Sequence, residues 1–221
     1  MIAVLIRSRC RHPTVRPQLV NAARALSGQP LKDIAHAKDS LWSLDLFRWE
    51  SILLRSHWVL LVMDVFTRRI IGFGIERAYV DGISVCRMFN HAVAGKPLPK
   101  HLSTDHDPLF RVHRWLANLR VLEIDEIKSV PSAPISHPYV ERLIGTIRRE
   151  YLDRAFFWNA VDLARKLHEF SDCYNAYRVH RSLDGTTPAQ RAGASLPAPA
   201  SLGRHAWRQH CRGPFHTPIT A

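Results

Sequence analysis

Residues 58–75 read WVLLVMDVFTRRIIGFGI, two apolar runs rich in β-branched and aromatic residues, separated by Thr67 and Arg68. Short runs of this composition, bounded by polar residues, are strands, and a two-residue break between them is tight enough for a hairpin turn. The spacing predicts strands over 58–66 and 69–75. Just upstream, LWSLDLF at 41–47 predicts another strand on the same grounds. Three strands so close in sequence can meander as neighbours.

Downstream the period changes. Asp81 is placed to cap a helix through residue 93, with Ile83, Cys86, Phe89 and Asn90 at helical spacing. Gly95, Pro97 and Pro99 end it. Residues 101–104 form a short predicted strand, and Pro108 suits the first position of a helix through 119. A strand over 121–127 follows, then a loop marked by Pro131 and Pro134. Pro138 opens a helix to about residue 152. Leu163, Leu167, Phe170, Tyr174 and Tyr177 set the apolar stripe of a longer helix over 162–177. Strands that alternate with helices need crossovers, so the fold class is α/β, a mixed five-stranded sheet flanked by helices.

The 221 residues suffice for one ordinary domain with extensions. At 46% apolar and 23% charged the composition excludes wholesale disorder. No apolar run approaches the roughly 20 residues of a membrane span, and 2–6 is too short for a signal-peptide core. The expectation is a soluble, cytoplasmic protein. Cys10, Cys86, Cys173 and Cys211 are scattered without a CxxC pair, which argues against a zinc knuckle and a disulfide framework.

The net charge is +12, with +5 on residues 1–40, +2 on 41–140 and +5 on 141–221. A basic excess concentrated at the two ends suits a polyphosphate partner, because each neutralised phosphate releases counterions. In the tail 193–221, Arg204, Arg208 and Arg212 recur every four residues around Trp207, which reads as a basic helical stripe or a disordered basic arm.

Three carboxylates stand out. Asp45 lies between Leu44 and Leu46 inside a predicted strand, where an unpaired charge costs several kcal/mol unless alternation aims it outward. Asp105 follows the strand 101–104, at the carboxyl end where ligands gather in α/β sheets. Glu141 falls in the first turn of the helix opened by Pro138, where the helix dipole alone would favour an acid. Between Asp105 and Glu141 lie 35 residues. Around Glu141 the chain reads HPYVERLIGTIRREYLD, and residues 174–190 read YNAYRVHRSLDGTTPAQ.

With those blocks in place, residues 40–192 resemble the integrase catalytic core of bacterial insertion-sequence transposases and retroviral integrases. The resemblance implies a ribonuclease-H-like fold for a core at 41–192. Asp45, Asp105 and Glu141 match the family's acidic triad, and Asp64 a structural acid near the hairpin. The implied chemistry is DNA 3′-end cleavage and strand transfer with two divalent ions, Mg²⁺ or Mn²⁺, held by the three carboxylates. Hard oxygen donors suit such ions, which keep positions open for water and phosphate oxygens. The implied partner is double-stranded DNA, both transposon ends and target, engaged by a homo-oligomer, with association to the bacterial nucleoid when DNA is bound and no role for a membrane.

The chain departs from the family pattern in places. STDHDPLF (103–110) stands where many relatives have Asp-Asn-Gly and offers Asp107 as a competing ligand, with 33 residues between it and Glu141. His137 replaces an Asn four positions before Glu141, and Arg148 replaces a Lys seven positions after it. Seven residues put Glu141 and Arg148 on one helix face. Arg142, Arg148, Arg149 and Lys128 are the expected phosphate contacts. Tyr174, Asn175, Tyr177, Arg178 and His180 are expected to brace the late helix against the core. Residues 1–40 read as an N-terminal tail or the remnant of a missing end-binding domain, since no helix-turn-helix is recognisable there. Two alternatives follow: a truncated, catalytically inactive DNA-binding fragment, or a structure-specific nuclease on the same fold.

Overall fold

A computed structural model describes residues 41–128, 137–195 and 203–220. The expectations for 1–40 and for the prolines at 131 and 134 lie outside the described residues. Strands β1 (Leu41–Glu50), β2 (Ser56–Asp64) and β3 (Ile70–Arg77) form an antiparallel meander. Helix α1 (Gly82–Val93) leads to β4 (His101–Thr104), which pairs parallel to β1 on the other side. A 3-10 turn (Pro108–Arg111) and helix α2 (His113–Val121) lead to β5 (Asp125–Lys128), parallel to β4. The sheet order is therefore β3-β2-β1-β4-β5, the expected mixed five-stranded sheet. Helices α3 (His137–Glu150) and α4 (Ala160–Tyr177), a short α5 (Pro188–Arg191) and a hairpin of β6 (His205–His210) and β7 (Phe215–Thr220) complete the chain.

Period-two alternation divides the core between the two faces of the sheet. Leu44, Leu60, Val62 and Leu102 pack with Val85, Phe89, Trp115 and Leu119 of α1 and α2. Phe47, Val59, Leu61, Met63 and Phe73 pack with Val140, Ile147, Leu167 and Phe170 of α3 and α4. Residues 41, 43, 45 and 47 share a face of β1, so Asp45 looks toward α3. On β3, a Cβ at Gly72 or Gly74 would collide with the backbone of Ala92 or Met88, so glycine there lets α1 lie directly on the sheet.

Two elements differ from the sequence reading. The predicted 121–127 strand is only Asp125–Lys128, because α2 runs on through Val121 and the chain reverses at Glu123 with φ +55°. The predicted helix from Pro108 is split, since Val112 is extended between the 3-10 turn and α2.

The tail is a third difference. Residues 205–220 form neither a helical stripe nor an unstructured arm but a hairpin, with Trp207 opposite Pro218 and Arg208 opposite Thr217. It is docked on α4. Phe215 packs against Tyr151 and Phe170, the His210 ring lies tilted against Tyr177 at 4.5 Å, and buried Cys211 joins the cluster that holds Cys173. The bracing expected of the 174–180 block is present. Asn175 Oδ1 accepts from the Ile70 amide at 2.9 Å and its Nδ2 donates back to the Ile70 carbonyl at 3.0 Å. Arg178 pairs with Glu150, and the rings of Tyr174 and His180 meet edge to face.

Candidate active site

The parallel pairing of β1 with β4 aligns the first two carboxylates. Leu41, Trp42 and Ser43 stand level with His101, Leu102 and Ser103, and continuing that register sets Asp105 level with Asp45. Adjacent strands are about 4.8 Å apart, so Asp105 emerges beside Asp45 as β4 ends. Glu141 comes from α3, the helix that Asp45 faces. It is exposed, and as the fifth residue of α3 it lies past the first turn, where the dipole field has largely decayed. The helix-dipole reading of Glu141 therefore loses its footing.

Electrostatics ties the three together. The Asp45 carboxyl is pushed up to about 7, first by burial and then by the nearby charges of Asp105 and Glu141. The Leu46 amide, which donates to Asp45 Oδ1 at 2.7 Å, and the Arg148 guanidinium pull the other way without prevailing. Two acids distant in sequence thus press on a third from separate elements, the like-charge crowding that a bound cation relieves.

Asp107 is engaged otherwise. Its Oδ1 accepts from the Leu109 amide at 2.8 Å and caps the 3-10 turn, while its own amide donates to Asp105 Oδ1 at 3.0 Å. Asp64 has turned into the β2–β3 connection, where its Oδ1 accepts from the amides of Phe66 at 2.7 Å and Thr67 at 3.1 Å.

The basic residues divide by exposure. Arg142 and Arg149 are exposed on α3. Arg148 folds back on β1, its guanidinium 5.4 Å from the Phe47 ring centre and 5.8 Å from that of Trp49. Its Nη2 lies 3.5 Å from the Arg48 carbonyl, and its buried Nε has no hydrogen-bond partner among the described residues. Lys128, on β5, donates to Glu126 Oε1 at 2.6 Å, to Thr104 Oγ1 at 2.9 Å and to the Phe110 carbonyl at 2.9 Å. Sequence reasoning missed Glu126 and Thr104; a strand bounded at 125–128 would have put Glu126 and Lys128 on one face. It also missed Arg68, whose guanidinium stacks 3.3 Å over the ring of Tyr139 on α3.

Three carboxylates with no thiolate or imidazole among them suit a hard divalent cation by donor chemistry. Among the described residues no three His, Cys, Asp or Glu side chains converge closely enough to enclose a metal ion, so the fit is one of donor type and mutual charge. No helix among the described residues is long and apolar enough to cross a membrane.

Comparison with known proteins places this geometry. The family model described as integrase core domain matches residues 123–188. An uncharacterised 39.2 kDa protein of insertion element IS476 from Xanthomonas euvesicatoria is 27% identical over 151 residues, covering 68% of this chain. The chain spans 43% of the length of that relative. Among solved structures, the HTLV-2 integrase catalytic core domain in complex with magnesium, in its dimeric form, superposes with a TM-score of 0.53. It is 16% identical, over 70% of this chain and 96% of that one. A chain of the simian T-cell lymphotropic virus intasome in complex with PP2A regulatory subunit B56 gamma gives 0.57 at 16% identity, over 84% of this chain and 77% of that one. Residues 123–188 thus match the integrase core domain model, and the sheet and helices have the fold of the integrase catalytic cores.

Proposed function

We propose that this chain is the catalytic core of a DNA transposase of the integrase type, cutting the 3′ ends of a mobile element and joining them to target DNA. Asp45, Asp105 and Glu141 are the residues that would hold two divalent ions, Mg²⁺ or Mn²⁺. When bound, such ions activate a water or 3′-hydroxyl oxygen and stabilise the leaving oxygen of the phosphodiester. The observation that carries the reading is the parallel register of β1 and β4, which brings Asp105 out level with Asp45 on the side of the sheet covered by α3, the helix of Glu141.

The chain's own residues have separable tasks. Asp45 would have to give up its proton to hold a cation, so its hold would strengthen as pH rises toward 8. Arg142 and Arg149, exposed on the helix that carries Glu141, hold backbone phosphates near the acids. Arg148 balances part of the acid charge from its seat on Phe47 and Trp49. Lys128, expected from sequence as a phosphate contact, already spends its three N–H donors on protein acceptors. The core works as a homo-oligomer, because two ends must be joined at one target.

The test is to supply the purified chain with Mg²⁺, target DNA and paired duplexes bearing the inverted repeats that flank its coding sequence. Joined products are expected. Nicks without joining would make it a nuclease on the same fold, and bound but uncut DNA would make it a non-catalytic DNA-binding fragment.

A further inference from the structure

Asp105 is followed by an exposed His106 and a single 3-10 turn, which reaches the core through the fully buried Phe110 at its far end. The two ends of this segment are tied to the same side chain. Lys128 Nζ donates to Thr104 Oγ1, on the residue before Asp105, and to the carbonyl of Phe110, inside the turn that follows. The third donor goes to Glu126 Oε1. That same oxygen accepts from Thr104 Oγ1 at 2.8 Å and from Trp115 Nε1 at 3.0 Å. Thr104 and Trp115 are fully buried, and Trp115 is wedged between Phe89 and Phe110. Thr104 and Lys128 also stand level across the β4–β5 pairing, so the backbone sets their approach.

We propose that the Lys128–Glu126 pair is a clasp that fixes the direction in which Asp105 leaves β4, and that Lys128 is therefore a positioning residue and not a phosphate contact. The inference rests on reading Asp105 as a catalytic carboxylate. An ammonium has three donors, and here all three meet protein acceptors, two of which, on Thr104 and Phe110, bracket residues 105–109. Glu126 orients the ammonium and is itself oriented by Trp115, which the core holds rigid. Misplacement of a reacting group by about 1 Å costs on the order of 10²-fold in rate, so a clasp remote from the chemistry can control it.

The test uses Lys128→Met and the double variant Glu126→Gln/Lys128→Met, beside wild type, with two readouts. In metal-free protein, amide hydrogen exchange reports on Asp107, Leu109 and Phe110, whose N–H groups close the segment after Asp105. Lys128→Met is expected to speed these amides about tenfold or more while those of α4 keep their rates. Single-turnover nicking at saturating DNA should slow about 10²-fold, with DNA affinity and its salt dependence unchanged. The double variant removes the unpaired buried Glu126 charge and should recover thermal stability, yet keep fast local exchange and slow nicking.

If stability, exchange and rate all recover together in the double variant, the pair is merely structural and the proposal fails. If exchange is unchanged while DNA affinity drops and the salt slope flattens by about one, Lys128 is a phosphate contact and the proposal fails. A wild type that never nicks would remove the catalytic reading of Asp105, while the exchange data would still decide whether the clasp exists.

Discussion

Asp45 and Asp64 sit on neighbouring antiparallel strands, each among apolar residues, and the sequence around either would serve for the other. Their surroundings separate them. Asp64 is 3% exposed and its Oδ1 accepts from two backbone amides of its own turn, so a tight local loop satisfies it. Asp45 accepts one amide hydrogen bond and faces the charges of Asp105 and Glu141. A buried acid is thus no sign of function by itself. The sign is an acid that its own neighbourhood leaves under strain from other acids.

The sharpest way to break that contrast is at the end of β4. Asp105→Asn should cut single-turnover nicking on the order of 10³-fold, as loss of one charge-stabilising group does. Asp107→Asn keeps a good capping side chain for the 3-10 turn and should stay near the wild-type rate. The reverse pattern would move the site to Asp107.

The next effect is one of stability. Burial and the neighbouring acids push the Asp45 carboxyl from its ordinary 3.8 up to about 7 in the folded protein, so between those values the folded state holds the extra proton. Stability therefore falls as pH rises from about 4 to about 7, the opposite of an ordinary ion-paired carboxylate. In metal-free buffer at pH 8, Asp45→Asn should stabilise the protein by up to about 4 kcal/mol, and at pH 4 it should change little. Denaturant melts at the two pH values check the sign; equal effects at both would remove the crowding.

Asp64→Ala should do the contrary, losing about 2 kcal/mol of stability because the amides of Phe66 and Thr67 lose their acceptor, with nicking at saturating DNA intact. A dead but stable Asp64→Ala would place that acid in the site. The smallest effect concerns the tail. Arg204→Gln/Arg208→Gln leaves the docked side of the hairpin, His210 and Phe215, untouched, and should flatten the salt dependence of DNA binding by a slope of about two. An unchanged slope would leave the hairpin as packing alone.

The contrast also explains what the sequence could reveal. Local signals were legible: Asp81 does cap α1, and 101–104 is the predicted strand. Signals that depend on distant partners were not. The four-residue spacing of Arg204, Arg208 and Arg212 imitates a helix, while the hairpin is set by pairing of Trp207 with Pro218 and by a turn with Cys211, Arg212 and Gly213 at positive φ. No Asn-Gly pair announces that turn. At 121–124 Val121, Leu122 and Ile124 imitate a strand and mask the end of α2, which hid the strand face shared by Glu126 and Lys128.

The central claim, that three acids from β1, the end of β4 and α3 act as one metal-binding group, is tested most directly at Glu141. Glutamine keeps its size and helix propensity at an exposed position, so the fold should be unaffected. Binding of an end-bearing duplex should stay equal or tighten slightly as a negative charge is removed. Single-turnover nicking of the same duplex in Mn²⁺ should fall on the order of 10³-fold or more. A Glu141→Gln variant that nicks at the rate of an active wild type would show that this carboxylate is an ordinary helix charge and that the acids do not work together.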